Sequence, residues 1–284
     1  MKIEALHTIG VIGTGTMGQG IAQVCAQSGY EVLLYDAQPE QIKGALLSIE
    51  KNTAALIEKG RLSEEQRKNI LLKIRAVEDF RQLKVDLVIE AIVEKLEIKQ
   101  KIFLELERIN SSDCIFVSNT SSISITEIAS VLKHQGRFAG LHFFNPAPVM
   151  KLVEIISGAK TNEETVNTLQ NFSEKLLKIT VLANDSPGFI VNRVARLFYV
   201  ESLKALEEKT ADFKTIDALM KNVGFKMGPF ELMDLIGVDT NFAVTSSMYE
   251  AFHHESRFRP SKIQQQKVNA GHLGRKSGKG FYEY

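Results

Sequence analysis

Two residues within the stretch GLHFFNPAPVMKLVEII (residues 140–156) have the types and spacing to do acid–base chemistry together, His142 and Glu154. Residues 139–144 and 151–156 have strand composition, and Pro146 and Pro148, which have no N–H to give a ladder, fall between them. Folded back about Pro148, the stretch sets His142 opposite Glu154, each six residues from that proline. Directly opposed residues in an antiparallel pair have Cβ atoms roughly 5 Å apart on one face. A carboxylate so placed can hold one ring nitrogen while the other points outward, which is the orienting half of a general base. A satisfied core histidine beside an edge-strand charge is the alternative that these residues alone leave open.

A base needs a reacting partner, and the start of the chain supplies a place for one. Strand-like residues 7–12 run into Gly13, Thr14, Gly15, Thr16, Met17 and Gly18, after which Ile21, Ala22, Val24 and Cys25 recur at helical spacing. Strand, glycine turn and helix form the first unit of a dinucleotide fold, in which the glycines admit a tight turn and the helix N–H groups bind the pyrophosphate. A second strand, residues 31–35, ends at Asp36, about twenty residues beyond the glycines as an adenosine-ribose carboxylate requires. A carboxylate there accepts from both ribose hydroxyls and repels a 2′-phosphate, and no arginine occurs in the next four residues, so the cofactor expected is NAD rather than NADP.

The elements that must position these groups alternate. A long helical pattern over residues 41–59 stops at Gly60, and Ser63 with Gln66 forms a capping box for another helix. Strands are expected at 74–77, 85–92 and 115–118, with helix over 95–108. Glu90 and Glu94 fall at the carboxyl end of the second of these strands, where open α/β sheets bind ligands. Glu94 reads equally as a ligand residue and as a helix-start carboxylate. Asn119, Thr120, Ser121 and Ser122 close the 115–118 strand and can be substrate donors or turn chemistry; Ser124 with Glu127 caps the helix that follows. Thr161 with Glu164 is expected to cap a helix to about residue 177, and 179–182 to close the sheet. Beyond the linker ANDSPG, five segments (189–208, 213–223, 230–236, 239–252 and 262–269) show helical period and no strand. The architecture expected is a Rossmann-type, mostly parallel sheet domain over 1–184 followed by an all-α domain over 185–284. The tail GRKSGKGFYEY reads as a mobile end or as a phosphate-binding loop with aromatic residues to dock it.

Composition excludes several classes. Lys and Arg number 35 against 34 Asp and Glu, which provides no overall field for nucleic acid or an anionic membrane. No apolar run approaches the roughly 20 residues needed to cross a bilayer. Two distant cysteines, Cys25 and Cys114, lack metal-type spacing, so no metal site is expected, and the compartment expected is the reducing cytoplasm.

The segments GTGTMGQGIAQVCAQSGYEV, EAIVE, SNTSSI, GLHFFNPAPVMKLVEII, DSPGFIVNR, GFKMGPFELMDLIG and GRKSGKGFYEY, in this order over essentially the whole chain, resemble the short form of the 3-hydroxyacyl-CoA dehydrogenase family, most of all its bacterial 3-hydroxybutyryl-CoA dehydrogenases. The resemblance implies NAD-dependent interconversion of (S)-3-hydroxyacyl-CoA and 3-oxoacyl-CoA, and a homodimer made through the helical domain. It implies that His142 is the base, Glu154 its electrostatic partner, and Ser121 and Asn192 the groups that hold the substrate oxygens. On the cofactor side it implies Gly13, Thr14, Gly15, Thr16, Met17, Gly18, Asp36, Glu94, Lys99, Ser121, Asn145 and Lys276; on the CoA side, Lys59. A 3-hydroxyadipyl-CoA substrate, or a CoA-independent gulonate-type hydroxy acid, are the alternatives. One departure stands out: Leu197 occupies a position where the family often has proline, which restores a helix N–H and bears on the aim of Asn192.

Overall fold

A computed structural model describes residues 6–284, which divide into two compact units, the first ending at Ser186 and the second starting at Pro187. The first unit is built on one eight-stranded sheet. Its elements in chain order are β1 (Thr8–Ile12), α1 (Thr16–Gln27), β2 (Glu31–Tyr35), α2 (Pro39–Glu58), α3 (Glu64–Leu72), β3 (Ile74–Val77), β4 (Leu87–Glu90), α4 (Leu96–Ile109), β5 (Ile115–Ser118), α5 (Ile125–Ala129), β6 (Phe138–Phe143), β7 (Leu152–Ser157), α6 (Glu163–Lys175) and β8 (Ile179–Asn184). Strand order is β3-β2-β1-β4-β5-β6-β7-β8. Every neighbouring pair is parallel except β6 and β7, which form an antiparallel hairpin.

β1, β4, β5 and β6 are apolar along nearly their whole length because both faces are covered, as parallel sheets require. Ile9, Val11, Leu87, Ile89, Val117 and Leu141 share one core with Ile21, Val24 and Cys25 of α1. Sheet order reverses its direction of growth between β1 and β4, and a ligand crevice is expected beyond the carboxyl ends there.

Local signals set most of the boundaries. Ser63 and Gln66 form the reciprocal capping box, at 3.1 and 2.9 Å, and Ser124 caps α5 by accepting from Glu127 N–H at 3.2 Å. α6 corrects one expectation: its cap is Asn162, whose Oδ1 accepts from Thr165 N–H at 2.7 Å. The Thr161 hydroxyl is engaged elsewhere, donating to the Phe138 carbonyl at 2.6 Å and accepting from Gly158 N–H at 2.9 Å. The strand expected over 85–92 contracts to Leu87–Glu90, so its last residue is Glu90 itself.

The second unit comprises α7 (Val191–Glu207), α8 (Phe213–Asn222), α9 (Pro229–Ile236), α10 (Val238–Ala251) and α11 (Lys262–Asn269). Tyr199, Leu203, Phe230, Met233, Val238 and Phe281 form its core. α7 passes through Leu197 as regular helix, so the leucine is accommodated without a break. The tail is docked through its aromatic end, where two buried aspartates organise it, while its basic residues Arg275, Lys276 and Lys279 are exposed. Asp234 accepts from Phe281 N–H at 2.9 Å and Tyr282 N–H at 2.8 Å, and Asp217 accepts from Tyr282 Oη at 2.8 Å and from Phe230 and Glu231 N–H, both at 2.9 Å. A Cβ on Gly280 would lie 2.0 Å from the Asp234 carboxylate, so only glycine lets the tail approach.

Candidate active site

The hairpin delivers the pair that its sequence spacing implied. β6 and β7 pair Gly140 with Ile156, Leu141 with Ile155, His142 with Glu154 and Phe143 with Val153. Within that register His142 Nδ1 lies 2.7 Å from Glu154 Oε2, with the imidazole 6% exposed and the carboxylate fully buried. The carboxylate accepts the Nδ1 proton, which fixes the ring and makes Nε2 the basic nitrogen. The turn is held from below by Lys178, whose ammonium donates to the carbonyls of Ala147 at 2.6 Å and Met150 at 2.8 Å; burial pushes its pKa below the ordinary lysine value. Asn145, at the start of the turn, precedes Pro146 through a cis peptide.

On the other side of β6, the polar loop after β5 is tied down at several points. Asn119 accepts from Phe143 N–H through Oδ1 at 2.8 Å, which joins that loop to the histidine strand one residue past His142. Glu94 gathers the rest: its Oε1 accepts from the Thr120 hydroxyl, from Ser121 N–H at 3.1 Å, and from Ser122 N–H and hydroxyl at 3.2 and 2.9 Å. Burial pushes the Glu94 carboxyl up, but the Lys99 ammonium and these donors outweigh it and hold the group below the usual carboxylate value. Glu94 is thus the organiser of the loop that carries Ser121.

Lys99, which the resemblance places on the cofactor side, is 1% exposed, with its ammonium 2.6 Å from Glu90 Oε1 and 3.3 Å from Glu94 Oε2. Glu90, whose only sequence signal was a carboxylate ending an apolar strand, is fully buried and also accepts from Ser118 Oγ at 2.6 Å. A second residue without a local signal is Asp185, which ties the linker to α5 by accepting from Ser124 Oγ at 2.7 Å and from the N–H groups of Ile125 and Thr126 at 2.9 and 2.8 Å.

The glycine loop fits a dinucleotide. Gly13 has φ +93°, and a Cβ there would meet the Ala91 carbonyl at 2.5 Å; one on Gly18 would meet the Gly13 carbonyl at 1.8 Å. A Cβ on Gly15 would find nothing within 4 Å, and no side chain caps α1 at this residue, which leaves room at the start of the helix of the kind a pyrophosphate occupies. Asp36 stands at the end of β2, its Oδ2 accepting from Thr14 N–H and Oγ1, both at 2.9 Å, and its Oδ1 from Gln38 N–H at 3.0 Å. Asp36 is therefore the latch of the glycine loop.

Other residues that the resemblance marked are more scattered. Lys59 is exposed at the C-terminal end of α2. Asn192 lies in the first turn of α7, and Lys276 lies in a short turn of the tail with its ammonium 2.7 Å from the Asp239 carboxylate. Both belong to the helical unit.

Comparison with known proteins agrees with this geometry along the full length described. Residues 8–186 match the family model of the 3-hydroxyacyl-CoA dehydrogenase NAD binding domain, and residues 188–284 that of the 3-hydroxyacyl-CoA dehydrogenase C-terminal domain. The chain is 47% identical over 281 residues to a 3-hydroxyadipyl-CoA dehydrogenase of Escherichia coli K12, covering 98% of this chain but 59% of that one. It is 40% identical to a probable 3-hydroxybutyryl-CoA dehydrogenase of Bacillus subtilis, with 98% of each chain covered. Among solved structures, (S)-3-hydroxybutyryl-CoA dehydrogenase from Ralstonia eutropha superposes with a TM-score of 0.94 at 38% identity and 99% coverage of both chains. With a glycine loop shaped for a dinucleotide, a buried histidine–carboxylate pair on the hairpin, and the two family models matched over residues 8–186 and 188–284, the chain belongs to the 3-hydroxyacyl-CoA dehydrogenase family.

Proposed function

We propose that this protein oxidises (S)-3-hydroxybutyryl-CoA to acetoacetyl-CoA with NAD and runs the reverse reduction. The observation that carries the reading is the buried His142–Glu154 contact of 2.7 Å on adjacent antiparallel strands. NAD, when bound along the glycine loop and Asp36, supplies the hydride acceptor. His142 Nε2 takes the 3-hydroxyl proton as the C3 hydrogen leaves with its electron pair, and Glu154 stabilises the imidazolium that results. In the reverse direction the same nitrogen returns the proton to the 3-oxo group. Ser121 and Asn192 hold the substrate oxygens, and Glu94 sets the loop from which Ser121 acts. Lys59 meets the CoA moiety, and Asn145 and Lys276 meet the cofactor.

Exposed Leu219, Val223, Phe225, Leu235 and Ile236 on the helical unit support a homodimer through that unit, which sedimentation would test. Two buried, unpaired cysteines support a cytoplasmic location, and no helix among the described residues is long and apolar enough to cross a membrane.

The test is consumption of NADH with acetoacetyl-CoA. Wild-type protein turns over, and His142→Gln loses several orders of magnitude in kcat while NADH affinity changes less than twofold; an active variant would remove the histidine from the reaction. A second reading, a dicarboxylic 3-hydroxyadipyl-CoA substrate, is favoured by the similarity to the Escherichia coli enzyme of that name. Relative kcat/KM for acetoacetyl-CoA and 3-oxoadipyl-CoA decides between the two.

A further inference from the structure

The charged groups at the end of β4 do not balance. Glu90 and Glu94 share the single ammonium of Lys99, at 2.6 and 3.3 Å, so two carboxylates against one ammonium leave one net negative charge. Glu90 is fully buried and Lys99 is 1% exposed, while the Glu94 side chain is 36% exposed, so solvent reaches the cluster only from the Glu94 side. Hydrogen bonds fix its place: Glu90 accepts from Ile92 N–H at 2.7 Å and Ser118 Oγ at 2.6 Å, and Glu94 accepts from the backbone of Ser121 and Ser122. A packed apolar pair would hold these elements together at no greater cost in stability, so the arrangement invites an electrostatic explanation.

Its location supplies one. β4 lies beside β1 at the point where sheet order reverses, and the residue after Glu90, Ala91, closes on Gly13 of the dinucleotide loop. The oxidised nicotinamide ring carries a positive charge and the reduced ring is neutral. A fixed, partly buried negative charge beside a dinucleotide site therefore favours the oxidised form over the reduced one.

We propose that the Glu90–Lys99–Glu94 cluster sets the preference of this protein between NAD⁺ and NADH, with Glu90 a positioning residue that acts through its charge without touching substrate or cofactor. The inference rests on the NAD reading above. The experiment is a pair of equilibrium titrations on the purified protein, NAD⁺ by calorimetry and NADH by fluorescence. Glu90→Gln keeps an acceptor for Ile92 N–H and a partner for Ser118 while cancelling the net charge; the ratio of the NAD⁺ to the NADH dissociation constant is expected to rise roughly tenfold, or ~1.4 kcal/mol. Lys99→Met removes the positive member of the cluster and keeps both carboxyl groups, so the ratio is expected to stay at or below the wild-type value. Opposite responses from two disruptions of one cluster are what a merely structural role would not produce.

A Glu90→Gln ratio within twofold of wild type, or a rise of equal size in both variants, overturns the proposal. Should Glu90→Gln fail to fold, Glu94→Gln removes the same unit of charge from a side chain that is 36% exposed, with a smaller rise of roughly threefold expected and an unchanged ratio again refuting it. Wild-type protein that binds neither form would refute the NAD reading itself, and with it this inference.

Discussion

Replacing Glu154 with glutamine isolates the contribution of charge from that of shape. Glutamine keeps the volume and an oxygen that accepts the Nδ1 proton of His142, so the ring retains its tautomer and aim. What disappears is the attraction between carboxylate and imidazolium. With Nδ1 and Oε2 2.7 Å apart, the charge centres lie about 4 Å from each other, worth ~4 kcal/mol at an effective dielectric constant of about 20. If proton transfer is half complete in the transition state, ~2 kcal/mol is lost and kcat falls roughly 30-fold; if it is complete, the fall is roughly 1,000-fold. Single-turnover measurement with (S)-3-hydroxybutyryl-CoA and NAD, the direction in which the ring gains its charge, keeps product release from hiding the change. NAD affinity should stay within twofold. A variant whose hydride-transfer rate stays within threefold of wild type would show that Glu154 orients the ring and nothing more, and the electrostatic argument would fail.

Asp36→Ala removes both a ribose acceptor and the latch on Thr14, so NAD binding should weaken at least tenfold by calorimetry; an unchanged dissociation constant contradicts the assignment. Asp234→Leu strands the Phe281 and Tyr282 N–H groups in a buried site, which should cost about 3 kcal/mol in denaturant unfolding, and a loss below about 1 kcal/mol would show that the tail does not depend on this clamp. Glu94 gives a pH signature. Its folded-state pKa is depressed, so its stabilising contribution is fully present above the unfolded carboxylate value of about 4.3 and is lost as pH falls through the lower folded value. The melting-temperature gap between wild type and Glu94→Gln should therefore be widest at neutral pH and close below about pH 4; a gap that widens in acid would reverse the sign of the argument.

The residues read most securely from sequence were those whose partners are set by local rules. Two prolines placed the turn, period-2 geometry then paired His142 with Glu154, and the paired register followed that arithmetic through four residues. Ser63 with Gln66 and Ser124 with Glu127 signal helix starts within three residues. Thr161 misled because Asn162 beside it is an equally good cap, and a long-range bond to Phe138 decided between them. Other features had no local trace at all. Asp234 meets Phe281 across 47 residues, and Glu90 meets Ser118 across 28, so only the folded chain reveals why the tail is glycine-rich or why a strand ends in a buried acid. Lys99 is a further case: the motif marks the residue, while its burial between two carboxylates appears only in the folded chain.

The β6–β7 hairpin also constrains how this gene can change length. Adding one residue between Phe143 and Leu152 and shifting the pairing would turn the carboxylate away from the imidazole and bury its charge among apolar neighbours. Adding two would restore the orientation but offer the ring Leu152 in place of the acid. Variants that lengthen or shorten this connection should therefore keep their reactivity only where the extra backbone is extruded as a bulge, so that tolerance to insertion here becomes a direct reading of pairing fidelity.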